Sequence, residues 1–236
     1  MNDEKVKIGG LLKTTLLDFP GHVAATVFTA GCNFDCSFCH NQNLIPTDTA
    51  ASIYSEDDIL TFLAKRKNVL GGVCISGGEP TIQAGLTDLI RRIREMGYPL
   101  KLDTNGYYPD VLASLLDEAL LDYIAMDIKS DAAGYAAICG REDIELERIE
   151  KAVALIIGSG IAYEFRTTVI KEFHDFAKLL AIGEFLAEAD VWYLQSYQDS
   201  EQKATPTLSS YTDDELTMLA ERLKAKGITN VKVRGE

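Results

Sequence analysis

Cys32, Cys36 and Cys39 fall within eight residues of the segment AGCNFDCSFCHN (30–41), and His40 follows the third thiol directly. Thiolates at i, i+4 and i+7 on a loop can turn inward around one metal centre. Structural zinc and most iron–sulfur sites close with four protein ligands, and no fourth is at hand here. His40 is adjacent to Cys39, so its side chain should point away. Cys74 sits in a buried run and Cys139 in the loop ICGRED, and both read as inert residues. A vacant coordination position marks catalytic metal centres, because structural ones are closed. A [4Fe–4S] cluster with one iron free and a structural zinc site both stay open on the cysteines alone.

Other chemistry-bearing residues recur along the chain. Gly77-Gly78 can free backbone N–H groups and admit a ligand closely, and Glu79 beside them can accept from an ammonium group. Asp103 and Asp127 offer hard oxygen atoms for a cation, and Lys129, two residues beyond Asp127, can pair with a carboxylate. A cluster, an ammonium acceptor, a cation site and a carboxylate partner together suit an amino-acid moiety that chelates a metal.

Short apolar runs alternating with amphipathic stretches supply the elements that must position these groups. Strands are expected over 22–30, 71–76, 99–103, 122–128, 162–170 and 191–197, with a last short one over 228–233. Helices are expected over 55–67, 82–97, 109–120, 142–158, 174–189 and 213–226. Ser55 caps the first of these, Pro109 starts the third, and Thr212 with Glu215 forms a capping box for the last. The runs are apolar on both faces, as parallel strands covered on both sides must be. The expected fold is α/β: an open parallel sheet with helices outside, a partial (βα)6 TIM-like barrel short of the full eight units. One domain should span 1–236, with an N-terminal extension (1–21), a barrel core (22–200) and a C-terminal helix and strand (201–236).

On this map the cysteine loop follows the first strand, SGGEP (76–80) the second, DTNG (103–106) the third and MDIK (126–129) the fourth. Arg166 lies in the second half of the fifth strand and Gln195 near the end of the sixth. The carboxyl ends of parallel barrel strands share one rim, where ligands bind. Six polar features therefore converge on one mouth.

Composition bounds the function. The 236 residues are 47% hydrophobic with a net charge of −13, which disfavours nucleic acid; LAKRKN (63–68) is the only short basic cluster. No apolar run reaches the length of a membrane span, and MNDEKVKIGG is too polar for a signal peptide, so the expected location is cytoplasmic. Five cysteines, an odd number with three clustered, argue against a disulfide scaffold.

CxxxCxxC in the first βα loop, Phe38 just before the third cysteine and GGEP after the second strand together resemble the radical S-adenosylmethionine (SAM) superfamily. CHN (39–41), DTNG and MDIK are similar to the activating enzymes of glycyl radical enzymes. GLLKTTLLDFPGHVAATVFTAGCNF and YEFRTTVI most resemble the activating proteins of anaerobic ribonucleoside-triphosphate reductase. The resemblance runs over nearly the whole chain.

It implies that Cys32, Cys36 and Cys39 hold a [4Fe–4S] cluster whose fourth iron is chelated by SAM. Phe38 would set its backbone against the adenine. Gly77, Gly78 and Glu79 would bind the methionine part, and Lys129 the SAM carboxylate. Thr104 with Asp103, Asp127 and the Met126 carbonyl matches a monovalent-cation site. Arg166 and Gln195 would touch ribose or carboxylate. The implied reaction cleaves SAM reductively to a 5′-deoxyadenosyl radical, which takes hydrogen from a glycine of a partner glycyl radical enzyme. Two cysteines beyond the three are too few for an extra ferredoxin-like domain, so a flavodoxin or ferredoxin-type reductant is implied. The competing readings are a radical SAM enzyme acting on a small molecule, like the 7-carboxy-7-deazaguanine synthases, and a non-catalytic zinc or iron module.

Overall fold

The computed structural model describes residues 5–45, 52–198 and 208–234. Residues 1–4 of the expected N-terminal extension, and the expected boundary between core and C-terminal segment at 200–201, lie outside the described residues.

Among the described residues, eight strands form one sheet in chain order: β1 (Ile8–Thr15), β2 (Ala24–Thr29), β3 (Gly72–Gly77), β4 (Leu100–Thr104), β5 (Tyr123–Asp127), β6 (Ala162–Val169), β7 (Trp192–Ser196) and β8 (Val231–Val233). β1 pairs antiparallel with β2, and every later pairing is parallel. β1 and β8 are the two edges, so the parallel array stays an open barrel, as expected. The helices are α1 (Glu56–Arg66), α2 (Leu86–Glu95), α3 (Pro109–Asp117), α4 (Tyr135–Cys139), α5 (Leu146–Ile157), α6 (Phe176–Phe185) and α7 (Asp213–Lys224).

Local chemistry explains these boundaries. Asp58 N–H donates to Ser55 Oγ at 3.1 Å while Ser55 N–H donates to Asp58 Oδ2 at 2.9 Å, a reciprocal box that starts α1. Thr212 and Glu215 do the same for α7. On α2, Leu86, Leu89, Ile90 and Ile93 make one buried stripe, and Gly97 turns the chain out with φ +79°. The core lies between this helical layer and the sheet, where Val73, Ile75, Leu100, Leu102, Ile124 and Phe165 are fully buried.

Two elements differ from the sequence expectation. Residues 8–15 are an edge strand of the sheet rather than an extension lying on it, because Lys7 and the residues of β1 pair with 24–30. Residues 135–139 form the short helix α4, so Cys139 ends a helix instead of lying in a loop.

Candidate active site

The loops after β2 and β3 are zipped together by their backbones. Gly78 N–H donates to the Thr29 carbonyl at 2.9 Å and Glu79 N–H to the Gly31 carbonyl at 2.8 Å. A side chain on Gly77, whose φ is +126°, would collide with the Thr29 backbone, and one on Gly78 with the Gly31 carbonyl. The glycine pair was expected to admit a ligand; here its bare faces first admit the cysteine loop. Asn41 adds a side-chain hydrogen bond to the Gly77 carbonyl at 3.1 Å.

Glu79 is 1% exposed and joins the β3 loop to the β4 loop. It accepts from Thr81 N–H at 3.0 Å, from the Thr81 hydroxyl, from the Thr104 hydroxyl at 2.7 Å and from Asn105 N–H at 2.7 Å. Burial pushes its carboxyl above the ordinary range, and these hydrogen bonds pull it part of the way back. Its oxygens thus brace the two loops while Glu79 also lines the cavity where the ammonium acceptor is expected. Asn105 continues the brace, donating to Asn33 Oδ1 in the cysteine loop at 2.8 Å.

Opposite charges two residues apart on a strand face the same side. The chain uses that spacing three times around the barrel interior: Lys101 with Asp103, Asp127 with Lys129 (3.0 Å) and Glu164 with Arg166 (3.9 Å). Arg166 then cross-links the strands, at 2.8 Å from Asp127 and 3.6 Å from Asp103. Arg234, just after β8, reaches Glu164, which also accepts from the Tyr123 hydroxyl at 3.0 Å. Burial would raise Asp127, but Arg166 and Lys129 outweigh it and hold this carboxyl well below the ordinary range. Lys101, Lys129 and Arg166 thus bring positive charge to Asp103 and Asp127, two of the residues expected at a monovalent-cation site. Met126, fully buried, sets its thioether against Gly106 and does not line the cavity.

Two histidines tie the rim together. His40 stacks on Tyr197, with ring centroids 6.1 Å apart and planes 7° from parallel, and its Nε2 lies 3.1 Å from the Gln198 carbonyl. It spans from the cysteine loop to the segment after β7. His174, fully buried, accepts from Ile170 N–H at Nδ1 (3.1 Å), so Nε2–H donates to the Lys129 carbonyl at 2.9 Å. It fixes the lysine that follows β5.

These loops enclose one cavity of about 490 Å³. Cys32, Cys36, Phe38, Cys39, Gly77, Gly78, Glu79, Asp103, Thr104, Asp127, Lys129, Arg166 and Gln195 all line it. The Phe38 ring is turned into the core, 6.3 Å from Phe173. Among the described residues, no three His, Cys, Asp or Glu side chains are gathered for one metal ion. Cys74 lies elsewhere, fully buried and 3.8 Å from Lys101 Nζ, and burial pushes its thiol far up. Cys139, fully buried at the end of α4, accepts at its carbonyl from Asp35 N–H at 2.9 Å, next to Cys36.

Sequence reasoning did not find Asn105, His174, Arg234 or the Cys139 contact. The signal for Arg234 was weak, because its partner Glu164 is 70 residues away. The i, i+2 charge spacing on β4 and β6 was visible and points directly to an ionic barrel interior.

The radical SAM superfamily model matches residues 26–180. A protein of Methanocaldococcus jannaschii named "Putative glycyl-radical enzyme activating enzyme" is 28% identical over 240 residues, which cover 98% of this chain and 96% of that one. A second protein of the same organism and name is 31% identical over 173 residues, 71% of this chain and 64% of the relative. Among solved structures, QueE from Escherichia coli superposes with a TM-score of 0.57 at 16% identity, over 98% of this chain and 95% of that one. Streptococcus suis SuiB bound to S-adenosylmethionine superposes with a TM-score of 0.68 at 16% identity, over 87% of this chain and 48% of that one. At such identities the likeness is one of fold.

Proposed function

The chain belongs to the radical SAM superfamily, whose members bind a [4Fe–4S] cluster and SAM, and on that premise we propose that it activates a glycyl radical enzyme. The observation that carries this reading is the near end-to-end match to the M. jannaschii relative whose name states that role. The partner proposed is an anaerobic ribonucleoside-triphosphate reductase, and the electron donor a flavodoxin or ferredoxin in the cytoplasm. Among the described residues no helix is long and apolar enough to cross a membrane.

Cys32, Cys36 and Cys39 would hold the cluster, since all three line the cavity. When bound and reduced, it supplies the electron that splits SAM into methionine and a 5′-deoxyadenosyl radical able to take hydrogen from glycine. The protein's own work is placement and exclusion of water. Gly77 and Gly78 would present backbone to the methionine part of SAM. Lys129 has three N–H donors and spends one on Asp127, which leaves donors for the SAM carboxylate. The Phe38 backbone, Arg166 and Gln195 would border adenine and ribose, with Thr104 and Glu79 holding the floor.

The test is anaerobic mixing of the reconstituted protein, SAM and reductant with the anaerobic ribonucleotide reductase of the same cell. A glycyl EPR doublet is expected. Methionine and 5′-deoxyadenosine formation with no doublet on any glycyl radical enzyme of that cell would overturn the activase reading while keeping the SAM chemistry.

A further inference from the structure

The cavity wall continues beyond Gln195 through Thr168, Ser196, Gln198, Asp213 and Arg234. These residues come from the ends of β6, β7 and β8 and from the start of α7, and β8 is the last strand of the parallel array that begins at β2. All five are polar. The large apolar lining residues, Phe34, Phe38 and Ile45, belong instead to the segment that follows β2.

Arg234 is pinned at three points. Its backbone N–H donates to the Leu194 carbonyl at 2.9 Å, which carries the β7–β8 ladder one residue further. Its guanidinium lies over the Tyr193 ring, 4.3 Å from the centroid, and donates from Nη2 to Glu164. A guanidinium has five N–H donors, so this engagement leaves donors for a ligand. Asp213, the first residue of α7, is exposed on the same wall, and among the described residues no ion pair joins it to Arg234. The wall thus offers a fixed donor and a separate acceptor, with the Gln198 amide able to act as either.

An aromatic substrate would be held by stacking and an apolar one by a hydrophobic pocket, and this wall supplies neither. It matches a peptide group, which presents one N–H and one C=O. Glycine has no side chain to grip, so an enzyme that must address one glycine can hold only the main chain on either side of it. We propose that Arg234 and Asp213 form the subsite for that main chain: Arg234 donates to a carbonyl, and Asp213 accepts from an N–H, of the partner loop that carries the reactive glycine. This rests on the activase reading and assigns the part of the cavity that reads the partner. The SAM contacts proposed at Gly77, Gly78 and Lys129 follow β3 and β5, so the two ligands would draw on different strands.

The experiment compares reconstituted wild type, Asp213→Asn, Arg234→Met and Arg234→Lys, with the anaerobic ribonucleotide reductase of the same cell as substrate. Lys232→Met, which removes an exposed positive charge from the same strand, is the control. Three quantities are read: the glycyl EPR doublet against reductase concentration, the 5′-deoxyadenosine formed per glycyl radical, and SAM affinity by equilibrium dialysis without reductant or reductase. Arg234→Met should raise KM for the reductase about tenfold to hundredfold, the span of a hydrogen bond to a charged group. Asp213→Asn, which keeps an acceptor oxygen, should raise it about three- to tenfold. Arg234→Lys should recover part of the loss. In the methionine and asparagine variants more 5′-deoxyadenosine should form per glycyl radical, because a loosely held glycine leaves the radical to other hydrogen donors. SAM affinity should stay within about twofold, and Lys232→Met should match wild type.

An unchanged KM in both Asp213→Asn and Arg234→Met overturns the inference. A tenfold loss of SAM affinity in either variant would put that residue in the SAM site and also overturn it. So would an equal rise in KM in Lys232→Met, which would mean long-range charge alone. If Arg234→Met fails to fold with Glu164 left unpaired, Asp213→Asn, whose side chain is exposed, decides the matter. A wild-type doublet with unmoved variants sinks this inference alone. No doublet from wild type with any glycyl radical enzyme of that cell sinks the activase reading and this inference with it.

Discussion

Glu79 variants separate a carboxylate that binds a ligand from one that holds the site together. Glu79 accepts from two backbone amides, Thr81 at 3.0 Å and Asn105 at 2.7 Å, and from the hydroxyls of Thr81 and Thr104. In Glu79→Ala the hydroxyls can rotate to other acceptors, but the amides cannot. Each buried amide left without an acceptor costs about 1–3 kcal/mol, so this variant should lose about 2–6 kcal/mol. For a chain of this size that lowers Tm by about 4–24 °C. In Glu79→Gln, the amide oxygen can keep the Thr81 and Thr104 bonds while its NH2 meets Asn105 N–H donor to donor. That costs about 1–3 kcal/mol, offset in part by removal of a buried charge.

The glutamine variant also carries a pH signature. Burial holds the Glu79 carboxyl above its ordinary range, so the folded state binds the proton more tightly than the unfolded state does. Stability from this group is present at acid pH and is lost as pH rises through the raised folded value. Glu79→Gln should therefore lose least relative to wild type at neutral pH and most in acid. Scanning calorimetry on cluster-free protein is the assay, since it excludes ligand effects. An alanine variant melting within about 1 °C of wild type would refute the reasoning, because a carboxylate serving only SAM would leave the empty protein's Tm unmoved.

Three further outcomes are expected. Arg166→Met removes the guanidinium shared by Asp127, Asp103 and Glu164, and breaking such a buried network should cost about 3–5 kcal/mol. Asp127 then loses the partner that depresses it most. Its stabilisation, present above the ordinary carboxylate range and lost as pH falls through the depressed value, fails at higher pH, so acid unfolding followed by circular dichroism should shift upward. His174, whose basicity burial lowers despite its bond to the Lys129 carbonyl, should make wild-type stability fall as pH drops below about 6.5, and His174→Gln should flatten that slope in urea titrations. Gly140→Ala, which drives a Cβ to 2.6 Å from the Asp35 carbonyl at φ +66°, should displace the cysteine loop and lower the iron retained per chain after reconstitution.

The parallel strands and most helices were legible because each carries its own period, and capping boxes at Ser55 and Thr212 marked two helix starts. The expected convergence at the barrel mouth needed only strand order and direction. β1 was not legible: Leu11, Leu12, Lys13 and Thr14 lie on an edge, so burial imposes no alternation there. α4 has five residues, too short for a helical stripe. The helix after β6 begins at Phe176 rather than 174, since Asp175 accepts from Lys178 N–H and leaves His174 free to serve Lys129. The role of Glu79 could not be read from its type, because ligand and brace use the same carboxylate. The bond from Asp35 N–H to the Cys139 carbonyl joins segments far apart in sequence, a contact that only the folded chain creates.

The opposite charges set two residues apart on β4 and β6, and across the end of β5, bear on how the barrel is assembled. Each of these segments reaches the sheet already carrying its own counter-ion, so no βα unit must wait for a distant one before its charge can leave water. Pairing two residues apart closes almost no loop, whereas Arg166 to Asp103 closes one of 63 residues. The short pairs can form as each unit docks, and the long bonds of Arg166 and Arg234 can close last, locking strands already in register. A chain of net charge −13 thereby builds a charged interior in locally neutral steps.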